Sequence, residues 1–260
     1  MKSSEIAVLV VSCDKYSDLW QPFFECFRRY WPDCPYQVYL LSNYEEAGIQ
    51  GLEVIKTGED KSWSENMIKA LQQIEHRYIF MFLEDLFLYK PVNNNRVVDL
   101  FQWALENDVN YLRMALRRHR ADKIYNDKVG IINKGSIYRA STVMALWKKN
   151  VLLNLLEPGE SAWQFEIEGT VRADRYDKFY ATWSNYFYTI NTVFRGKWVP
   201  SALRKVKRRG IDPDLQQREV MNCGDCLKLK LLEFRSFLLT LIPVRFRRKI
   251  RKRFIKKPFI

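Results

Sequence analysis

The sequence predicts an α/β fold, a doubly wound and mainly parallel sheet with helices on both faces, and three observations carry that prediction. Two six-residue runs, Ile6–Val11 and Tyr78–Leu83, are apolar at every position, the pattern of strands buried on both faces of a parallel sheet. Between them lie two mostly apolar runs, 36–41 and 52–55, and two segments whose apolar residues recur at helical spacing. The resulting order of strand, helix, strand, strand, helix, strand is that of a sheet whose crossovers cover its faces. The run at 78–83 matters most, because it ends in two adjacent carboxylates, Glu84 and Asp85. In open α/β sheets ligands bind beyond the carboxyl ends of the strands, where an acidic pair is placed to hold a divalent cation.

Each element has a local reason. The first strand runs into Ser12-Cys13-Asp14-Lys15-Tyr16; Ser17 or Asp18 is placed to cap the helix that follows, and Pro22 falls in its first turn, where a missing N–H costs little. Phe23, Phe24, Phe27 and Tyr30 share one face of that helix, and Trp31-Pro32 ends it. The strand at 36–41 is closed by Ser42-Asn43, and a polar loop at 58–62 precedes a helix that delivers the chain to Tyr78. Beyond Pro91, the residues Val97, Val98, Phe101 and Leu105 mark another helix. A strand is expected at 109–114, and two short strands at 131–132 and 136–139 about a Lys134-Gly135 turn. The aromatic run 183–193 alternates as an edge strand or ribbon does, and 200–217 reads as a basic connector.

A chain of 260 residues, 47% hydrophobic and 15% aromatic, is long and apolar enough for one large α/β domain or two small ones. Its five cysteines are odd in number and irregular in spacing, and no secretory leader precedes them, which predicts a reducing, cytoplasmic setting without a disulfide framework. The net charge of +13 points to nucleic acid only until it is located. Residues 227–260 hold twelve basic residues against one acid, Glu233, and so carry eleven of the thirteen net charges. The expected division is a nearly neutral domain over 1–226 and a basic tail over 227–260.

Four loops fall along one edge of the expected sheet: 12–16, 42–43, 58–63 and 84–85. Asp14 can accept hydrogen bonds from a base or ribose, Tyr16 and Trp63 offer stacking faces, and Lys69 lies one turn inside a helix whose N-terminus attracts anions. Neither G-x-G-x-x-G nor G-x-x-x-x-G-K-[ST] occurs, so a dinucleotide fingerprint and a P-loop are both unsupported. His76 and His119 have no second ligand at zinc spacing. The Cys223-Gly224-Asp225-Cys226 motif lacks the βαβ start that a redox site needs.

An apolar strand ending in Ser12-Cys13-Asp14-x-Tyr16, then Leu41-Ser42-Asn43, then Trp63-Ser64 opening a helix, then Leu83-Glu84-Asp85-Leu86-Phe87-Leu88, resembles in its order the nucleotide-sugar glycosyltransferases of the GT-A fold. More narrowly, it is similar to bacterial enzymes that build lipopolysaccharide or capsule glycans. The resemblance covers about residues 5 to 200 and implies a Rossmann-like single domain, with a nucleotide-sugar donor bound by Ser12, Asp14, Tyr16, Asn43, Trp63, Lys69 and Glu84. In that family an acidic motif at the end of the fourth strand, usually Asp-x-Asp, binds Mg²⁺ or Mn²⁺ together with the donor diphosphate. Here Glu84-Asp85-Leu86 lacks one flanking acid, so the metal role passes to Asp85 first and to Glu84 second.

Three later stretches complete the expected site. Arg113, Arg117, Arg118, His119 and Arg120 crowd together; such a cluster, Arg117 in particular, suits an anionic acceptor. In 157–169, Trp163 and Glu166 fall three apart on one helical face, an indole wall beside a carboxylate. The resemblance implies that a carboxylate in this part of the chain deprotonates the acceptor hydroxyl of an inverting enzyme, and Glu166 is the choice, with Glu168 and Glu160 behind it. Arg195 and Lys197 flank Gly196 and suit a departing diphosphate.

The tail combines an apolar segment, 231–242, with Phe246, Ile250, Phe254 and Ile255 among nine cations, the composition of a basic amphipathic element lying on an anionic membrane. A nucleic-acid arm would use the cations but has no need of the apolar segment. The expected function is therefore transfer of a sugar from a nucleotide-diphosphate donor to a lipid-linked or lipopolysaccharide or capsule glycan acceptor. Direct displacement at the cytoplasmic face of the cell membrane is the expected setting. A nucleotidyltransferase acting on sugar phosphates would share the early sheet but usually carries a Gly-rich, Lys- or Arg-bearing loop where 12–16 stands. A non-catalytic membrane or nucleic-acid adaptor would leave the four loops unexplained.

Overall fold

The structure, a computed structural model, describes residues 2–115 and 121–241. Arg117, Arg118, His119 and Arg120 lie outside the described residues, as does the cationic end of the tail, 242–260. In chain order, β1 (Ile6–Val11) leads through a 3₁₀ stretch, Asp14–Leu19, into α1 (Trp20–Tyr30). Then come β2 (Gln37–Ser42), β3 (Glu53–Lys56), α2 (Trp63–Gln73), β4 (Tyr78–Leu83), β5 (Leu86–Leu88) and α3 (Asn94–Glu106). The second half opens with β6 (Tyr111–Arg113), β7 (Lys123–Ile124), β8 (Val129–Ile131), β9 (Ala145–Lys148) and α4 (Lys149–Leu155). Two short helical turns, α5 (Ala162–Gln164) and α6 (Thr170–Arg172), follow with a π-helical turn, Phe165–Gly169, between them. The chain continues through β10 (Phe179–Thr182), β11 (Thr189–Asn191), β12 (Val193–Phe194), β13 (Lys197–Trp198), α7 (Pro200–Lys207) and α8 (Cys223–Leu241).

Among the described residues nine strands make one sheet in the order β3-β2-β1-β4-β9-β6-β10-β8-β7. The first four are parallel, as the apolar runs predict. The parallel reading stops there: β9 is antiparallel to both β4 and β6, and β8 and β7 are antiparallel additions beyond the parallel pair β6 and β10. The fold is thus α/β with a sheet that is parallel in one half and mixed in the other. The expected strand at 136–139 does not form. Arg139, which is buried, donates instead to the Ile132 and Tyr176 carbonyls at 2.8 and 2.5 Å and lies over the Phe179 ring, so a guanidinium satisfies the backbone where a ladder was expected. Of the aromatic run 183–193, β11 pairs with β5, and Val193 opens β12, which pairs with β13.

Period-two alternation distributes the central strands between two cores. Ile6, Val8 and Val10 of β1 and Tyr78, Phe80 and Phe82 of β4 face α1 and α3, where Phe23, Trp31, Phe101 and Phe187 join them. Ala7, Leu9 and Val11 with Ile79 and Met81 face α2 and α4, against Met67, Leu71 and Leu152. Burial on both faces fixes the height at which β1 and β4 end, and the site is built there. A close approach in the mixed half gives a first test. A Cβ on Gly130 of β8 would stand 2.3 Å from Trp183 and 2.6 Å from Ala121. Gly130→Ala is therefore expected to cost about 1–3 kcal/mol of stability, read as a lower midpoint in chemical unfolding.

Candidate functional site

β1 and β4 run side by side in register to Val11 and Leu83. The residues just past those ends, Ser12-Cys13 and Glu84-Asp85, line the floor of an open cleft of about 490 Å³. Tyr16 and Trp63 stand on its walls, with Ser62, Asn66, Gly159, Ser161, Ala162 and Gln164. The Trp63 wall is fixed from beneath. Ser62 caps α2 by accepting from the Glu65 N–H at 3.2 Å and also accepts from the Gly159 N–H. Ser64 and Glu160 exchange two hydrogen bonds at 3.0 Å, and Arg172 grips the Glu160 carboxylate with two more. Trp63 then packs on Phe165 at 5.3 Å between ring centroids.

Two acids dominate the electrostatics, Glu84 buried and Asp85 half-buried with its Oδ1 covered. Burial, and then the neighbouring Asp85 charge, hold the Glu84 carboxyl well above its usual range. Burial pushes Asp85 up to about 6. The Asp85 carbonyl is pinned by the Thr192 N–H and hydroxyl at 2.8 and 2.9 Å. Its carboxylate Oδ1, like Asn66 Oδ1, is a buried oxygen with no hydrogen-bond partner among the described residues. Unpartnered buried oxygens on residues that line a cleft are acceptors waiting for a cation or a donor group. Among the described residues no group of three or more His, Cys, Asp or Glu is arranged to hold a metal ion by itself. Mg²⁺ in phosphate-binding sites is commonly held by one or two carboxylates, the substrate phosphates and water, so Asp85 with Glu84 beside it fits such a cation. Burial and the Glu84 charge push the Cys13 thiol up to about 11, which disfavours the thiolate.

The cation that answers these acids is one that sequence reasoning did not find. Arg218 grips Asp18 with two hydrogen bonds of 2.9 and 2.8 Å, and donates to the carbonyls of Gly196 and Lys15. Its guanidinium lies 4.4 Å from the centroid of the Tyr16 ring, and its charge acts on both Glu84 and Asp85. Asp18, expected as a helix cap, is its partner instead; α1 begins without a side-chain cap.

Of the residues expected at the nucleotide-sugar site, Ser12, Tyr16, Trp63, Glu84 and Asp85 line the cleft. The others do not line it, and each has a visible occupation. The Asp14 carboxylate accepts from the N–H groups of Asn43, Tyr44 and Glu45, while Asn43 bonds the Asp14 N–H and the Gly58 carbonyl. Together they staple the loops after β1 and β2. Lys69 donates to the Thr57 carbonyl at 2.8 Å. Arg195 and Gly196, at φ +50° and +75°, make the tight turn between β12 and β13, and Arg195 lies over Phe194. Lys197 pairs with Glu219 and Asp225, which raises its pKa through the hydrogen bonds they accept. Glu166 is buried, and its Oε1 accepts from the Ser141 hydroxyl at 2.7 Å and from the Thr142 N–H and hydroxyl; it lies two residues past Gln164, the last residue of 159–164 to line the cleft. Trp163 is 45% exposed. Arg117 falls outside the described residues.

No protein-family model and no curated protein matches this sequence. Solved structures do match the fold. A UTP-bound UGPase from Acinetobacter baumannii aligns with a TM-score of 0.55 at 12% identity, covering 88% of this chain and 98% of its own. S. aureus TarS 1-349 in complex with UDP aligns at 0.51 and 12% identity, over 82% of this chain and 67% of that one. The mannosyltransferase PcManGT from Pyrobaculum calidifontis, in complex with GDP-Man and Mn²⁺, aligns at 0.51 and 12% identity over 74% of this chain. This chain spans 58% of the mannosyltransferase and 41% of another TarS chain. At such identities the likeness defines the architecture alone: the chain has a GT-A-like fold.

Proposed function

We propose that this chain is a glycosyltransferase that moves a sugar from a nucleotide-diphosphate donor to a lipid-linked or glycan acceptor of the lipopolysaccharide or capsule kind. The observation that carries the reading is the Glu84-Asp85 pair at the end of β4, facing a cleft walled by Tyr16 and Trp63. Tyr16, backed by Arg218, and Trp63, backed by Phe165, are rigid aromatic faces for a nucleobase or a sugar ring. Asp85 and Glu84 would hold Mg²⁺ or Mn²⁺, which when bound neutralises the charge that develops on the departing diphosphate. Glu166 remains the proposed base for the acceptor hydroxyl, oriented by Ser141 and Thr142, with the exposed Trp163 as a face for the acceptor and Arg117 for an anionic group on it.

Binding and hydrolysis of a panel of UDP, GDP and dTDP sugars, with Mn²⁺ and with EDTA, test the reading. At least one donor should bind and turn over with the metal, and a panel that neither binds nor reacts overturns it. Glu166→Gln should abolish transfer; full activity would leave Glu166 only as the clamp of the turn at 141–142. A second reading, a nucleotidyltransferase acting on sugar phosphates, draws on the UGPase alignment, which spans nearly all of both chains. Against it, 12–16 offers no Gly-rich cationic loop. Release of inorganic diphosphate from a nucleoside triphosphate and a sugar phosphate, in place of nucleoside diphosphate release from a nucleotide sugar, would favour it.

A further inference from the structure

α8 differs from the helices of the domain in what it does with its apolar residues. Leu227, Leu231, Phe234 and Leu238 follow at spacings of four, three and four, so they share one side of the helix. They are 60%, 59%, 58% and 44% exposed. In α1 and α2 the apolar residues at such spacing, Phe23 and Phe27 or Met67 and Leu71, are buried on the sheet. A continuous uncovered row of large apolar side chains marks a contact surface. No helix of the described residues is long and apolar enough to cross a membrane, and α8 interleaves its row with Lys228 and Lys230. We propose that this side of α8 seats on an anionic lipid surface, with the helix lying along the interface and not through it.

Charge decides between the possible occupants. The segment 227–260 holds twelve basic residues and one acid, while the rest of the chain is nearly neutral. A second copy packed row to row would bring two strongly cationic segments together, whereas anionic headgroups neutralise them. A nucleic acid would take the cations and leave the four apolar side chains in water. A lipid surface of negative charge accepts both at once. The helix is also tied to the cleft. The Met221 N–H donates to the Trp198 carbonyl at 3.0 Å, Asp225 in the first turn of α8 pairs with Lys197 at 3.3 Å, and Arg218, just before the helix, holds Asp18 and backs Tyr16. The start of α8 is thereby anchored to β13, and the residue that backs Tyr16 lies just before it. The inference is independent of the proposed reaction, since lipid binding is measured without any donor.

The experiment is flotation of the full chain with phosphatidylcholine vesicles, with and without phosphatidylglycerol. The full chain should float only with the anionic vesicles. Leu231→Glu with Phe234→Glu, at exposed positions where unfolding behaviour should be unchanged, should weaken binding by about tenfold or more. Equal binding by variant and parent overturns the proposal, as does binding that ignores lipid charge. So does a soluble dimer that the two substitutions dissociate, or retention on duplex DNA with no affinity for either vesicle.

Discussion

Arg218→Met is expected to lower stability by about 3–5 kcal/mol and to weaken nucleotide-sugar binding with it. The side chain of Arg218 is 6% exposed and that of Asp18 only 1%, so neither charge has water to fall back on. Removing the guanidinium strands Asp18 in the interior, near Glu84, whose ionisation it already opposes. It also removes the support of the Tyr16 ring and the donors that hold the Gly196 and Lys15 carbonyls. Unfolding in urea reads the stability loss, and calorimetric titration with a nucleotide sugar reads the binding. Asp18→Leu added to Arg218→Met should restore much of the stability, because an apolar pair has no charge to desolvate. It should not restore binding, because Tyr16 still lacks its backing. A single variant as stable as the parent would show that the pair carries none of this weight.

Arg218 also shows where the sequence stops being legible. Its partner lies 200 residues away, and it falls one residue past the basic connector read over 200–217, with nothing in its own stretch to single it out. The strands β1 and β4 are the opposite case. Six apolar residues in a row have only a two-sided burial to go to, so the strands, their ends and the acids beyond them are readable in advance. Polar loop residues carry no such constraint. Asp14 has the chemistry to accept from a ribose or from backbone N–H groups equally well, and only the meeting of the loops after β1 and β2 shows the second use. The same holds for Lys197, whose acidic partners Glu219 and Asp225 come to it from beyond α7. β9 is four residues, Ala145–Lys148, without the β-branched run that marks a strand, and its insertion is what turns half of the sheet from parallel to mixed. Aromatic residues at the loop edges, Tyr16 and Trp63, were readable as walls because a large ring beside a cleft has few alternatives short of full burial.

Asp85→Asn is expected to move stability and binding in opposite directions. Burial pushes the Asp85 carboxyl from 3.8 up to about 6, so the folded protein holds that proton more tightly than the unfolded chain does. The stabilisation from the protonated group is then complete below a pH of about 4 and is lost as pH rises through about 6. Near neutrality the ionised carboxylate costs on the order of 3 kcal/mol. Asparagine cannot ionise, and beside a neutral neighbour the Glu84 carboxyl is still held up by burial but loses the added push of the Asp85 charge. The variant should therefore melt above the parent near pH 7.5, by roughly 3 kcal/mol, and the two should converge near pH 4. Mn²⁺ should raise the midpoint of the parent at the higher pH, because a cation bound only by the folded form stabilises it, and should leave the variant unmoved. Nucleotide-sugar binding should fall away in the variant despite its greater stability, the behaviour of a group kept at a folding cost for what it holds. A variant that melts lower than the parent near neutrality, or that binds Mn²⁺ and donor as the parent does, would show that Asp85 only ends a strand.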